Sequence, residues 1–149
     1  MLLQEVCVLD VVCCGRDTGI IEAARMMRQH HVGALIVVDE PNGRRIPAGI
    51  LTDRDIVVEV LGNELDVATT TVAQVMSAKL VIAQESEDTA VAVERMHVHG
   101  VRRLPIVNHG GSLVGVFTLD DAVKLHATRA AEFVEIAAKG HKHERRTRR

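Results

Sequence analysis

A chain of 149 residues, 47% hydrophobic and 26% charged with a net charge of −2, has the apolar content for a packed core and does not read as a disordered segment. It holds no Trp or Tyr and only two Phe, Phe117 and Phe133, which argues against proteins that stack single-stranded nucleic acid on aromatic rings. The small net charge hides an asymmetry, because residues 139–149 carry six Lys or Arg against one Glu while the rest of the chain is acidic.

In chain order, Met1-Leu2-Leu3-Gln4-Glu5 lacks the basic-then-apolar order of a signal peptide, and no later apolar run approaches the roughly 18–20 residues of a membrane span. Cys7, Cys13 and Cys14 are odd in number and crowded near the start, which fits a reducing, cytoplasmic setting better than a disulfide framework. Val11-Val12-Cys13 predicts a short strand ended by Gly15-Arg16-Asp17. Ile20 to Gln29 predicts an amphipathic helix with Ile20, Ala23, Ala24 and Met27 on one face. Ala34 to Val38 is a buried strand, Glu40-Pro41-Asn42-Gly43 a turn, and Ala48 to Leu51 the returning strand. Asp53 to Leu61 predicts a helix stopped by Gly62-Asn63. Residues 62–74 form a linker that leads into a helical turn at Val72–Met76. Strand, helix, strand, strand, helix then recur at Leu80–Ala83, Thr89–His97, Leu104–Val107, Leu113–Phe117 and Leu119 to about Ala138, and a disordered basic tail is expected over residues 139–149.

The recurrence is a repeat. A shift of 69 residues places Met27 on Met96 and Val32-Gly33-Ala34-Leu35 on Val101-Arg102-Arg103-Leu104. Beyond Val38 the shift becomes 66, and Gly49-Ile50-Leu51-Thr52-Asp53-Arg54-Asp55 falls on Gly115-Val116-Phe117-Thr118-Leu119-Asp120-Asp121. The copies span residues 5–61 and 75–138. One copy of about 60 residues is marginal for burying its own core, so the pair, packed about a pseudo-twofold axis, is the expected folding unit.

In both copies an apolar strand ends at Thr and a helix begins there, and such a helix start offers unpaired N–H groups to an anion. Asp55 and Asp121, three residues on, are carboxylates suited to the paired hydroxyls of a ribose. The same Thr-x-x-Asp spacing is also a helix-capping pattern. Duplication, the preceding Gly and the short Asp favour a binding role.

With these motifs the chain resembles the CBS-domain family, in particular small bacterial proteins made of two such domains, over about residues 5 to 127. Gly49–Asp55 and Gly115–Asp121 look like that family's ligand motif, Val101 to Val107 its second-strand motif, and Val75-Met76-Ser77 its leading helix. The resemblance implies an α+β fold of two βαββα units, frequent dimerisation, and clefts that take AMP, ADP, ATP or related adenosyl ligands. It places Thr52 and Thr118 on phosphate or ribose, Asp55 and Asp121 on ribose hydroxyls, Arg103 and Arg102 on phosphates, and Val12 to Cys14 and Val81 to Ala83 along the base. Because the first copy has Gly33-Ala34 in place of Arg102-Arg103, the cleft of Thr118 and Asp121 is expected to bind a nucleotide first.

Helix positions Ile56, Val57, Val60, Val123 and Leu125 exceed the needs of one buried face and point to a homodimer. Adjacent Cys13 and Cys14 alternate in direction along a strand and are read as packing. The histidines, at His30-His31, His97 and His99, are read as polar helix ends, with no metal site. No triad, P-loop or dinucleotide fingerprint is present. The reading is therefore a regulatory binding module for an adenosine-type ligand, with no catalytic role, no required cofactor and an unidentified protein partner. The alternative is a ligand-blind interaction protein, or a nucleic-acid accessory acting through the tail, although nucleic-acid binding is not favoured.

Overall fold

The computed structural model describes the backbone of residues 1–147 and the side chains of residues 1–140 and 142; the remaining tail side chains, and Arg148 and Arg149, lie outside the described residues. The chain begins with α1 (Leu3–Val6), β1 (Cys13–Cys14), α2 (Ile20–His30), β2 (Ala34–Asp39) and β3 (Ile46–Thr52). β3 turns straight into α3, which is α-helical over Asp53–Asp55 and π-helical over Ile56–Leu61. After α4 (Val72–Val75) come β4 (Ala83–Gln84), α5 (Thr89–His99), β5 (Arg103–Val107), β6 (Leu113–Thr118) and α6 (Leu119–Thr147).

Each copy is the expected βαββα unit. Its three-stranded sheet has a parallel first pair and an antiparallel second pair, in the orders β1-β2-β3 and β4-β5-β6. The two hairpins even shift register at corresponding places, between Val37 and Val38 and between Ile106 and Val107. β2 and β5 are the central strands, and their near-continuous apolar runs are buried from Leu35 to Val38 and from Leu104 to Val107. On α2, Ile20, Ala23 and Met27 are buried as the periodicity predicts, but Ala24 is exposed.

Several features differ from expectation. β1 and β4 lie further along the chain, because each pairs with the buried middle of the central strand, Cys13 opposite Ile36 and Ala83 opposite Ile106. Val57 and Val123 are exposed as required of a dimer face, but Val60 is fully buried and Ile56 packs on the first core. The last helix does not stop near Ala138. It continues through the segment expected to be a disordered tail as far as Thr147, in a stretch that contains no proline and carries a Lys139–Glu135 pair one turn apart.

The copies interleave. The leading segment of the chain packs on the second copy, where Leu3 is buried in one cluster with Leu104, Ile106 and Phe117. The segment after the linker packs on the first copy, where Val72 is buried with Leu35, Leu51 and Val60. Val8 exchanges both backbone hydrogen bonds with Val116, at 2.9 and 3.0 Å, and Ser77 does the same with Ile50, at 2.9 and 3.0 Å. These bridges are related by the repeat, as are Leu2–Asp88 and Gly19–Thr71. The sequence division at residues 5–61, 62–74 and 75–138 follows the repeat, whereas each core is completed from the other side of that division. A third cluster of Ile36, Val38 and Leu113 joins the two sheets, with Val11, Cys13 and Ile50 packed against it.

Gly49 and Gly115 are needed for this exchange. A Cβ on Gly49 would lie 2.9 Å from the Ser77 carbonyl oxygen and 2.6 Å from Met76 Sδ, and one on Gly115 would lie 3.0 Å from the Val8 oxygen and 2.7 Å from Cys7 Sγ. The glycine that opens each Gly-x-x-Thr-x-x-Asp run is thus explained by backbone crossing backbone, not by a ligand.

Candidate functional site

Thr52 and Thr118 end β3 and β6, and the helix that follows each is capped by its own Asp. The Thr52 N–H donates to Asp55 Oδ2 at 2.8 Å, and the Asp55 N–H donates to Thr52 Oγ1 at 3.1 Å. In the second copy the Thr118 N–H donates to Asp121 Oδ2 at 2.9 Å, and the Asp121 N–H to Thr118 Oγ1 at 3.2 Å. The capping reading of Thr-x-x-Asp is therefore correct, and it does not exhaust the carboxylate. Both caps use Oδ2, and among the described residues Oδ1 of neither Asp accepts a hydrogen bond. All four residues are half-buried. The caps differ in one hydroxyl proton: Thr118 Oγ1 donates to Asp121 Oδ2 at 2.6 Å, while among the described residues no such bond holds the Thr52 hydroxyl.

Each Thr-Asp pair opens onto a cleft whose opposite wall is the other copy. Asp55 and Thr52 face Val81, Val101, Arg102 and Arg103 across a cavity of about 250 Å3, with Lys79 at its margin. Asp121 and Thr118 face Val11, Val12, Gly33 and Ala34 across a cavity of about 320 Å3, with Asp10, Asp120, Lys124 and Arg103 around it. Small-molecule sites begin at about this size.

This arrangement corrects the expected asymmetry. Arg102 and Arg103 belong to the same copy as Asp121, but strand β5 starts opposite the first copy's helix. Arg102 therefore lines the Asp55 cleft, and Arg103 lines both. The better-charged cleft is that of Asp55. Val12 and Val81 line clefts as expected, each on the side of the other copy's Asp. Cys14 and Ala83 line neither Thr-Asp cleft; they sit inside the paired sheet, 7% and 1% exposed, and belong to the two cores. Burial, reinforced by the neighbouring Cys13, pushes the Cys14 thiol up to about 11, so it stays protonated at neutral pH.

The cleft residues that the sequence reading passed over are Lys79, Asp10, Asp120 and Lys124. Their signal is positional: Lys79 and Asp10 occupy the same place in the repeat, just ahead of the first strand of each copy. Among the described residues no group of three or more His, Cys, Asp or Glu is placed to hold a metal ion, and no helix is long and apolar enough to cross a membrane.

The sequence model of the CBS domain matches residues 3–62 and 72–127. The chain is 40% identical over 119 residues to the CBS domain-containing protein YhcV of Bacillus subtilis, covering 80% of this chain and 81% of that one. An uncharacterized Methanopyrus kandleri protein is 30% identical over 131 residues, 88% of this chain and 65% of its own length, so the chain spans about two thirds of that relative. Among solved structures, Hypoxic Response Protein I with two coordinated zinc ions superposes with a TM-score of 0.71 at 29% identity, over 83% of this chain and 98% of that one. A CBS domain protein from Pyrobaculum aerophilum complexed with AMP gives 0.73 at 23% identity, over 81% and 89%. The CBS domain pair of protein MJ0100 in complex with 5′-methylthioadenosine and S-adenosyl-L-methionine gives 0.75 at 22%, over 87% and 98%; at such identity these last two share the fold. The repeat, the two interleaved βαββα units and the matched residues together place this chain in the CBS domain family, as a tandem pair.

Proposed function

We propose that this protein is a regulatory module that binds an adenosine-type ligand in the clefts between its two copies. The observation that carries the proposal is the half-used carboxylate. Asp55 and Asp121 both line a cleft, and among the described residues each spends only Oδ2 on its cap, leaving Oδ1 without a hydrogen bond. A ribose edge offers two hydroxyl donors to such an oxygen. The valines opposite provide an apolar slot for a base, and Lys79, Arg102 and Arg103 provide charge for phosphates in the Asp55 cleft. The solved pairs of the same fold with AMP, or with methylthioadenosine and S-adenosylmethionine, support the ligand class.

Two copies of the chain associate through α3 and α6 in this reading, because Val57, Val58 and Leu61 on one helix and Leu119 and Val123 on the other are exposed. Ligand binding then acts by changing the contacts of the pair with a protein partner, in a cytoplasmic setting. A thermal-shift panel of AMP, ADP, ATP, NAD and S-adenosylmethionine tests this, since a ligand that binds only the folded chain raises its melting temperature. At least one adenosyl compound is expected to do so. A flat panel at millimolar concentrations rejects the proposal in favour of a ligand-blind interaction protein.

A further inference from the structure

We infer that the two clefts are built for ligands of different charge: the Asp55 cleft for a phosphorylated adenosyl compound, and the Asp121 cleft for one whose 5′ end is uncharged or cationic. This rests on the adenosyl reading above and specifies it.

The repeat supplies an internal control, because most residues lining the Asp55 cleft have a counterpart lining the other cleft. Three apolar positions correspond and stay apolar, Val81 with Val12, Val101 with Val32, and Ile50 with Val116, while Ser77 lines the Asp55 cleft where the other has Val8. The ribose position is unchanged as Asp55 and Asp121. The larger change is in charge, and mostly in one direction. Lys79 stands where the other cleft has Asp10, Arg102 where it has Gly33, and Arg103 where it has Ala34. Asp120, which lines the Asp121 cleft, occupies the place that Arg54 holds in the first copy. Only Lys124, opposite Val58 in the repeat, runs the other way.

The result is three cations around one carboxylate in the Asp55 cleft, against two cations and three carboxylates in the Asp121 cleft. One of those two cations, Arg103, is shared with the first cleft. Hydroxyl chemistry follows the same division. The Thr52 hydroxyl proton is uncommitted and can be given to a phosphate oxygen, whereas the Thr118 proton is held by Asp121 at 2.6 Å. A phosphate entering the Asp121 cleft meets Asp10 and Asp120 and finds no free hydroxyl donor among the described residues. A thioether or sulfonium at the 5′ carbon needs no such donor, and a sulfonium gains from the carboxylates.

Titration calorimetry on the full chain separates the possibilities, with AMP and 5′-methylthioadenosine as probes. AMP is expected to bind one site per chain. Methylthioadenosine is expected to bind a second site with AMP already saturating. Asp55→Ala should remove the AMP event, and Asp121→Ala the methylthioadenosine event. Two further variants leave the caps intact. Lys79→Asp should weaken AMP, and Asp10→Lys combined with Asp120→Arg should strengthen AMP at the second cleft, each by about tenfold from several partly exposed charge contacts. AMP filling both clefts of the parent equally, the two probes competing for one cleft, or AMP unaffected by Lys79→Asp each overturn the inference while leaving the adenosyl reading standing. No binding by either probe overturns both.

Discussion

Asp55 and Asp121 divide their carboxylates between two tasks, so removing either has two separable effects. Asp55→Ala loses a cap bond at 2.8 Å and should cost about 1 kcal/mol of stability, read from urea denaturation. Thr52→Ser keeps the capping oxygen and should cost little, which distinguishes cap from packing. Cys14 offers a second check at this scale. Its thiol is buried and shifted to about 11, so in native protein at pH 7.5 it should resist iodoacetamide and react only after unfolding. Rapid alkylation of native Cys14 would show that the strand opens readily. Glu87 ties stability to pH. Burial pushes it up, and hydrogen bonds from Arg95 at 2.6 and 3.1 Å and from the Gln84 N–H at 2.7 Å more than offset that, holding it below the usual range. A depressed carboxyl stabilises the fold above its unfolded pKa and loses that contribution as pH falls through the folded one. Glu87→Gln should therefore flatten the decline in stability below about pH 4.5 and lower stability at neutral pH by about 1 kcal/mol.

The two helices that follow the first strands end alike, and the difference between them is a ready test of backbone strain. α2 ends at His31 with φ 53°, and α5 ends at Gly100 with φ 64°, the same position of the repeat. A left-handed end favours glycine, so His31→Gly should raise stability by up to about 1 kcal/mol in thermal melts. A loss of stability would mean that the His31 side chain contributes more than its backbone costs. Gly115→Ala should do the reverse and destabilise by about 2 kcal/mol or more, because Cys7 and the Val8 carbonyl occupy the space a methyl group needs. Element types and order were legible in the sequence because central strands such as Leu35 to Val38 are continuous apolar runs and α2 has a clean buried stripe. The ends were less so. β1 and β4 are two residues long, set by their partner strand and not by any periodicity of their own, and no proline after Ala138 ends α6 there.

For the whole molecule, the repeat predicted a pair but not its interleaving. Leu3 and Val72 look like linker or terminal residues in sequence, yet each is fully buried in the other copy's core. The same crossing hides the charge of the clefts from the sequence: Arg102 sits one residue before β5, and only the packing of the copies shows that it faces Asp55. The apolar positions on α3 and α6 predict a dimer by sedimentation at micromolar concentration, and a stable monomer there would contradict the association. The measurement that bears most directly on the central claim is a crystal structure of the chain grown with AMP. The account predicts the ribose hydroxyls on Asp55 Oδ1, the base against Val81 and Val101, and the phosphate among Lys79, Arg102 and Arg103. Nucleotide found away from both clefts, or both clefts empty at saturating AMP and every other adenosyl compound, would contradict it.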